Sequence, residues 1–594
     1  MVASLGKWIL AIDGSGLPER DLIGGKAWSI ARMGAIGINV PSAIVVTTEA
    51  CAAYLESESL PEGLVDELVH GISWLEMQSK RTFGSGPSPL LVSVRSGAAI
   101  SMPGMMDTIL NLGINEETEQ ALAMETGNAE FAHDTHRRFL ELYASIVLKA
   151  TLEDLDPADT ASNWRTAIAA AATTKVPEIA HEQLCQAVVA VFESSNSRRA
   201  RRYRKHHNLR ENLGTAVTIQ AMVFGNLDVY SGTGVLFSRN PLNGDRAPYG
   251  EYLHRAQGED VVSGKFTPEP LTALQTSLPQ VYSALLEAST TLENDACDVQ
   301  DIEFTVQNGE LFLLQARAAK RAPAAAVRFA VDLVADGLVD KRTALTRVSA
   351  KQVRTLLQPR LADGVVEFAE ELASGEPACQ GVGVGIVVTS ADEAEQRSAN
   401  GESVVLASST TSPEDVHGMI ASCAVITDHG GSTSHAAVVS RAVGVPCIVG
   451  CGEGAVVQLA GRTVTVDGIS GKIFAGALKV EAPNELDHPE LAQLTAWARD
   501  LSPITALSKD AEIPPNTLDL NALEGGEDSE QLPHLIADAK TVMGRALESD
   551  AGVEAALNAG VECIISEHIL PTLLCAIHHR SRSNADARPD EDRP

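Results

Sequence analysis

The sequence predicts a large protein of mixed α/β and α+β class with several domains, and three observations carry that prediction. The chain has 594 residues, 44% of them hydrophobic, which suffices for roughly three to five packed domains. A helical run after Lys26 leads into Val40-Pro41-Ser42-Ala43-Ile44-Val45-Val46-Thr47, whose apolar, β-branched character reads as a buried strand. Further on, Asp301-Ile302-Glu303-Phe304-Thr305-Val306 and Glu310-Leu311-Phe312-Leu313-Leu314-Gln315-Ala316-Arg317 flank Gln307-Asn308-Gly309, the pattern of an antiparallel hairpin.

Composition excludes some functions. A net charge of -32, from 46 basic and 78 acidic residues, argues against broad binding to nucleic acid or to an anionic membrane, both of which need basic surface. The run Arg198-Arg199-Ala200-Arg201-Arg202-Tyr203-Arg204-Lys205 is isolated in this acidic chain and fits a solvated helix face better than a polyanion patch. No stretch of about 18 uninterrupted apolar residues predicts a transmembrane helix. The N-terminal residues lack the basic start and apolar middle of a secretory signal. Nine cysteines without CxxC pairs or His/Cys ligand spacing argue against a zinc site and a disulfide framework, and a reducing cytoplasm is the expected location.

From the N-terminus, Leu22-Ile23-Gly24-Gly25-Lys26-Ala27 joins two glycines, which let backbone approach a ligand, to a lysine that offers a point charge for phosphate. The spacing is not that of a P-loop, and a plain turn with a surface lysine accounts for it equally. Leu90 to Ala98 reads as an apolar strand ending in Arg95, followed by the methionine-rich loop Met102-Pro103-Gly104-Met105-Met106-Asp107-Thr108. An arginine fork can clamp a triphosphate and such a loop can close over it; a surface ion pair with core methionines is the plainer account. Gly214 to Gly225 alternates in part as strands do, and Gly-rich turns follow in Ser231 to Pro241 and Ala256 to Gly264, leaving room for a purine edge and phosphates. In the hairpin, Glu303 and Gln315 fall on adjacent strands with Arg317 near. Two oxygen ligands of that kind suit Mg2+, which completes its shell with water and substrate phosphates; ordinary cross-strand polar pairs fit as well.

Asp428-His429-Gly430-Gly431-Ser432-Thr433-Ser434-His435-Ala436-Ala437 sets an imidazole among glycines and small hydroxyls after the apolar run Ala424-Val425-Ile426. A neutral imidazole can carry a phosphoryl group, with backbone N–H groups and hydroxyls holding its oxygens. His435 is the candidate carrier, against the alternative of a histidine satisfied by a helix N-terminus.

These segments occur in an ordered series: GGKAWSIARMGAIGINVPSAIVVTTEAC, VRSGAAISMPGMMDTILNLGIN, GTAVTIQAMVFGN, SGTGVLFSRNP, YGEYLHRAQGEDVVSG, QDIEFTVQNGELFLLQAR and GGSTSHAAVVSRAVGVPCIVGC. The series resembles the pyruvate phosphate dikinase branch of the phosphoenolpyruvate-utilising enzymes over about residues 5 to 480, with Thr-Ser-His at 433 to 435 closer to that branch than to the synthase branch. The resemblance implies a two-lobed ATP-grasp nucleotide-binding domain at 1–322, a helical connector at 323–359 and a swivelling β/β/α-type phosphohistidine domain at 360–480. It implies that Lys26 and Arg95 contact phosphates, that Glu303 and Gln315 bind Mg2+, and that Arg317 stabilises the transferring group. Gln220 to Val223, including Met222, would line the adenine pocket, with Glu259 and Asp301 also toward the nucleotide. His435 would take a pyrophosphoryl group from ATP, pass the outer phosphoryl to phosphate, and carry the rest to a second site. Gly375-Glu376-Pro377 and Pro483-Asn484-Glu485 are candidate hinges.

The resemblance departs after residue 480. Relatives continue into a TIM barrel of about 250 residues, whereas 114 residues remain here (594 minus 480). Leu491 to Arg499 and Ala555 to His568 resemble the first helix and an early helix and strand of that barrel, so 481–579 is expected to be an incomplete, barrel-like remnant, with a polar, disordered tail at 580–594. Of the family's arginine, threonine, glutamate and histidine after that strand only Glu567 and His568 match, and Ile565 stands at the arginine position. Three functions follow as expectations. The first is a phosphotransferase that phosphorylates its own His435 for an acceptor bound elsewhere, such as a separate phosphoenolpyruvate-binding protein. The second is a working dikinase acting on pyruvate, and the third a non-catalytic ATP-binding phosphocarrier or regulator. Thr433 resembles a regulatory phosphorylation position, and a hydroxyl that holds phosphate is the structural account of it.

Overall fold

A computed structural model describes residues 4–586 apart from 98–107, 153, 173, 198–200, 203–213, 263–265, 358–359, 363, 482, 486–487 and 527. The loop Met102 to Asp107 and most of the basic run at 198–205 therefore lie outside the described residues. Arg201 and Arg202 of that run are exposed. Among the described residues no helix is long and apolar enough to cross a membrane.

The first unit is built on an antiparallel sheet in the order Ile9–Ile12, Ala43–Val46, Ala216–Ala221, Val92–Gly97, Thr108–Leu112. The predicted strand near Val40 is realised as Ala43–Val46, buried throughout, and Thr47 then caps the next helix by accepting from the Ala50 amide. Arg95 does not end its strand. It lies inside, paired with Thr108 on one side and Thr218 on the other, because the ladder continues to Gly97.

A second antiparallel sheet runs Glu269–Pro270, Tyr249–His254, Gly232–Phe237, Gln300–Gln307, Glu310–Ala318. The predicted hairpin closes at Asn308 and Gly309, whose φ angles of 50° and 76° are the left-handed pair a two-residue turn matched to strand twist requires. Glu303 and Gln315 are direct cross-strand partners, with a bulge between Glu303 and Phe304 that re-aims the side chains there. The helix Arg20–Ala35 lies between the two sheets. Its Ile23, Ala27, Ile30 and Ala31 share a core with Val45 and Ala216 of the first sheet and Leu236, Ile302 and Phe304 of the second.

Helices Pro323–Ala335, Lys341–Thr346 and Ala350–Leu357 form the connector. The next unit holds an eight-stranded sheet, four of whose strands, Val382–Val388, Val404–Ser408, Ala424–Thr427 and Cys447–Val449, are parallel neighbours. Separate apolar clusters cover its two faces. The chain enters and leaves this unit side by side, since Arg360–Leu361 pairs antiparallel with Val480–Glu481. Both suggested hinges make contacts in this structure. Glu376 and Pro377 are strand residues opposite Val449 and Ile448, and Glu485 is buried, where it accepts from the Ile569 and Leu570 amides at the start of the last helix.

The remaining residues form a parallel sheet in the order Thr505–Ser508, Cys563–Ser566, Thr541–Met543, Leu518–Asp519. Their core is continuous with the connector, Leu494, Leu532, Leu570 and Leu573 packing with Val327, Leu345 and Val353.

Candidate functional site

A cavity of about 870 Å³ lies between the two antiparallel sheets and reaches the loops around Ser412 and His435 of the eight-stranded unit. Lys26, Arg95, Gln220, Met222, Val223, Glu303, Gln315 and Arg317 line it, and so do Thr410, Thr411, Ser412, Thr433 and His435. Its size is that of a site for a ligand as large as a nucleotide. Residues more than 400 positions apart thus meet around one space.

Lys26 reaches the cavity because the helix Arg20–Ala35 breaks at Gly24, with φ 73° and ψ 162°. A Cβ at Gly24 would lie 1.9 Å from the Gly97 carbonyl oxygen, so only glycine allows the two segments to cross this closely. Burial, together with the cations Arg95 and Arg317 and against the pull of Glu303, brings the Lys26 ammonium down to about 8. Arg317 is held above its ordinary range, first by Asp301 and also by Glu303; its Nε donates to Asp301 Oδ2 at 2.8 Å.

One expected nucleotide contact, Asp301, is otherwise engaged. Asp301 does not line the cavity; it lies one step beyond Glu303 on the same strand face and serves as counter-ion to Arg317. Gln220 to Val223 line the cavity; one N–H of the Gln220 amide donates to the Pro41 carbonyl at 3.1 Å, and the Met222 backbone N–H donates to the Leu91 carbonyl at 2.9 Å. The side chain of Glu259 lies outside the described residues.

Glu303 and Gln315 offer a carboxylate and an amide oxygen side by side on paired strands at the cavity wall. Among the described residues no cluster of three or more His, Cys, Asp or Glu side chains forms a metal site. A hard cation that takes most of its ligands from phosphate and water fits this sparse set, whereas a zinc-like ion does not.

His435 opens the helix His435–Val443, capped by the Ser434 hydroxyl, which accepts from the Ala437 amide, and ended by Gly444 at φ 74°. Burial lowers the imidazole's proton affinity, opposed by Asp415 and by a hydrogen bond to the Ser412 backbone. Nε2 is buried and has no partner among the described residues. With a proton on Nδ1 directed at the Ser412 backbone, the lone pair of the neutral ring would lie on Nε2. The Thr411 hydroxyl is likewise buried and unpartnered among the described residues.

Glu251, not singled out in the sequence, joins the two units at this loop. Its carboxylate accepts from the Ser432 amide at 3.1 Å, the Ser432 hydroxyl at 2.9 Å and the Thr433 hydroxyl. Beside it the Tyr249 hydroxyl lies 2.7 Å from Glu376 Oε1 and 2.6 Å from Ser432 Oγ, with one proton to donate between them. The Thr433 hydroxyl, expected to hold phosphate, is thus committed to Glu251. A Cβ at Gly431 would lie 2.6 Å from Glu251 Oε1, so the glycine admits the carboxylate. Glu251→Ala is expected to slow any chemistry at His435 by roughly 10- to 100-fold, as loss of one or two charge-assisted bonds implies, with nucleotide affinity unchanged. Parallel measurements of nucleotide binding and of turnover check this.

Comparison with known proteins matches residues 57–284 to the family described as pyruvate phosphate dikinase, AMP/ATP-binding domain, and residues 400–471 to the PEP-utilising enzyme, mobile domain. Similar proteins include a pyruvate, phosphate dikinase of Clostridium symbiosum, 37% identical over 580 residues, which covers 91% of this chain and 66% of that protein. A chloroplastic pyruvate, phosphate dikinase of Flaveria trinervia is 41% identical over 514 residues, covering 81% of this chain and 54% of its own length. Pyruvate, phosphate dikinase 2 of Zea mays is 39% identical over 534 residues, with 84% and 60% covered. The chain therefore spans from about half to just under two thirds of the length of these relatives.

Proposed function

We infer, from the premise that this chain belongs to the pyruvate phosphate dikinase family, that it is a phosphotransferase which uses ATP to phosphorylate its own His435. The observation that carries this reading is the buried, unpartnered Nε2 of His435 in one cavity with Lys26, Arg95, Arg317, Glu303 and Gln315. An imidazole nitrogen with a free lone pair is a nucleophile, and the cations around it face the place where negative charge spreads during transfer.

In the proposed reaction Nε2 attacks the β-phosphorus of ATP, and the bond to the α-phosphate oxygen breaks with its electrons, releasing AMP. The outer phosphoryl then passes to inorganic phosphate as pyrophosphate, leaving phosphohistidine. Lys26 and Arg95 bind phosphate oxygens, Arg317 meets the transferring group, and the Ser412 backbone beside the imidazole favours a proton on Nδ1. Glu303 and Gln315 would hold Mg2+, which supplies further charge neutralisation. Glu251 holds the loop that presents His435. The phosphohistidine unit, residues 360–480, then carries the group to an acceptor, which the relatives' names identify as pyruvate. Ile565, buried in its strand where the family resemblance calls for arginine, favours an acceptor bound outside residues 481–586.

Incubation with Mg2+ and ATP labelled in its β-phosphate tests the proposal: an acid-labile, alkali-stable phosphate on the protein supports it. A bare imidazole at saturating substrate overturns it. Phosphoenolpyruvate formation on adding pyruvate separates a self-sufficient dikinase from a carrier that needs a partner.

The state of Lys26 gives a pH dependence. Its charged form binds phosphate, and in the free site that form is lost as pH rises through about 8. ATP binding above that pH must take up a proton, so affinity is expected to fall about tenfold between pH 7 and 9. Lys26→Arg, charged throughout, should flatten the profile; calorimetry in buffers of different ionisation enthalpy checks both the slope and the proton uptake.

A further inference from the structure

We propose that Arg441 is a docking sensor, a positioning residue whose guanidinium comes to face Asp301 when His435 enters the ATP cavity and so links docking to Arg317. The proposal rests on the phosphotransferase reading above and assigns a role to a residue that reading leaves unused.

Arg441 lies six positions after His435 on the same helix and is 3% exposed. Its Nη1 donates to the Ala378 carbonyl at 3.2 Å within its own unit. Its guanidinium carbon lies 5.8 Å from the centre of the Phe237 ring of the ATP-binding unit, within the range of a cation–π contact. Nε and Nη2 are buried without a partner among the described residues.

Across the boundary stands a matching deficit. Phe237 is the direct cross-strand partner of Asp301, so the two side chains leave the sheet on one face. Asp301 is 3% exposed; its Oδ2 accepts from Arg317, but its Oδ1 is buried and unpartnered among the described residues. A buried cation and a half-satisfied buried carboxylate thus sit on the two sides of the docking boundary. Burial disfavours the Arg441 charge, and Asp301 is among the anions that offset this. An uncompensated buried charge is costly. Docking therefore brings the Arg441 guanidinium toward the carboxylate that also holds Arg317.

Arg441→Gln and Arg441→Lys test this with two readouts, the rate of His435 labelling from ATP and hydrogen exchange of the peptide containing Ser432, whose amide bonds to Glu251 across the boundary. Arg441→Gln is expected to slow labelling by about tenfold or more and to expose the Ser432 amide, while the strands Val404–Ser408 and Ala424–Thr427 keep their protection. Arg441→Lys, which retains the charge, should recover part of both. Labelling of Arg441→Gln at the wild-type rate would overturn the proposal, as would loss of protection throughout those strands, which indicates a purely structural role. If the unsubstituted protein takes no label, the phosphotransferase reading fails; the exchange comparison still decides whether Arg441 governs docking.

Discussion

His435→Asn protein, mixed with Mg2+ and β-labelled ATP, is expected to take up no acid-labile phosphate, the largest effect the structure implies. The asparagine amide nitrogen can occupy the place of Nδ1 and keep the bond to the Ser412 backbone, so the loop has little reason to rearrange. It has no lone pair where Nε2 stood. ATP binding should stay within about twofold of the wild-type value, because the phosphate-facing cations are untouched and a nucleophile that acts only in the transition state contributes little to ground-state affinity. Quantitative labelling at alkaline pH, paired with calorimetry, makes the measurement. Label remaining on His435→Asn would assign the carrier role elsewhere, with the exposed His429 the first to examine.

Arg317→Ala should lower the labelling rate by about 10³-fold or more, the effect expected where an arginine neutralises charge on a transferring phosphoryl group. Asp301 and Glu303 keep this guanidinium charged, and the Asp301 bond fixes its direction. Truncation also strands a buried carboxylate, so a loss of about 3–5 kcal/mol of stability accompanies it, measurable by denaturant unfolding. Arg317→Lys restores charge without the planar fork and should fall between the two, with stability closer to wild type. A rate for Arg317→Ala within tenfold of wild type would remove Arg317 from the transfer step.

Local signals in the sequence account for much of the site. The Asn-Gly turn sets the hairpin register, and with it the Glu303 and Gln315 pair, because a two-residue loop leaves little freedom to slide. The apolar run before His435, the Ser434 cap and the glycine at 444 are all short-range features, legible without neighbours. The partners of other residues around the cavity carry no such local signal. Asp301 differs from Glu303 only in its position along the strand, and Gln220 and Met222 donate to backbone from other segments; no periodicity encodes such partners. The Gly-Glu-Pro run at 375 and the Pro-Asn-Glu run at 483 look like turns in sequence, yet pairing and capping by distant residues fix their surroundings.

By itself the sequence determined the class of the protein, its family and the identity of the candidate carrier, since turn chemistry, caps and ordered motifs are properties of adjacent residues. Only the tertiary structure decided that Glu251 commits Thr433, that Lys26 is buried between Arg95, Arg317 and Glu303, and that Arg441 packs over the Phe237 ring. Those facts depend on burial and on groups brought together from chain segments some 70 to 290 positions apart, and electrostatic energies inside a protein are set by distance and dielectric, which sequence order does not contain.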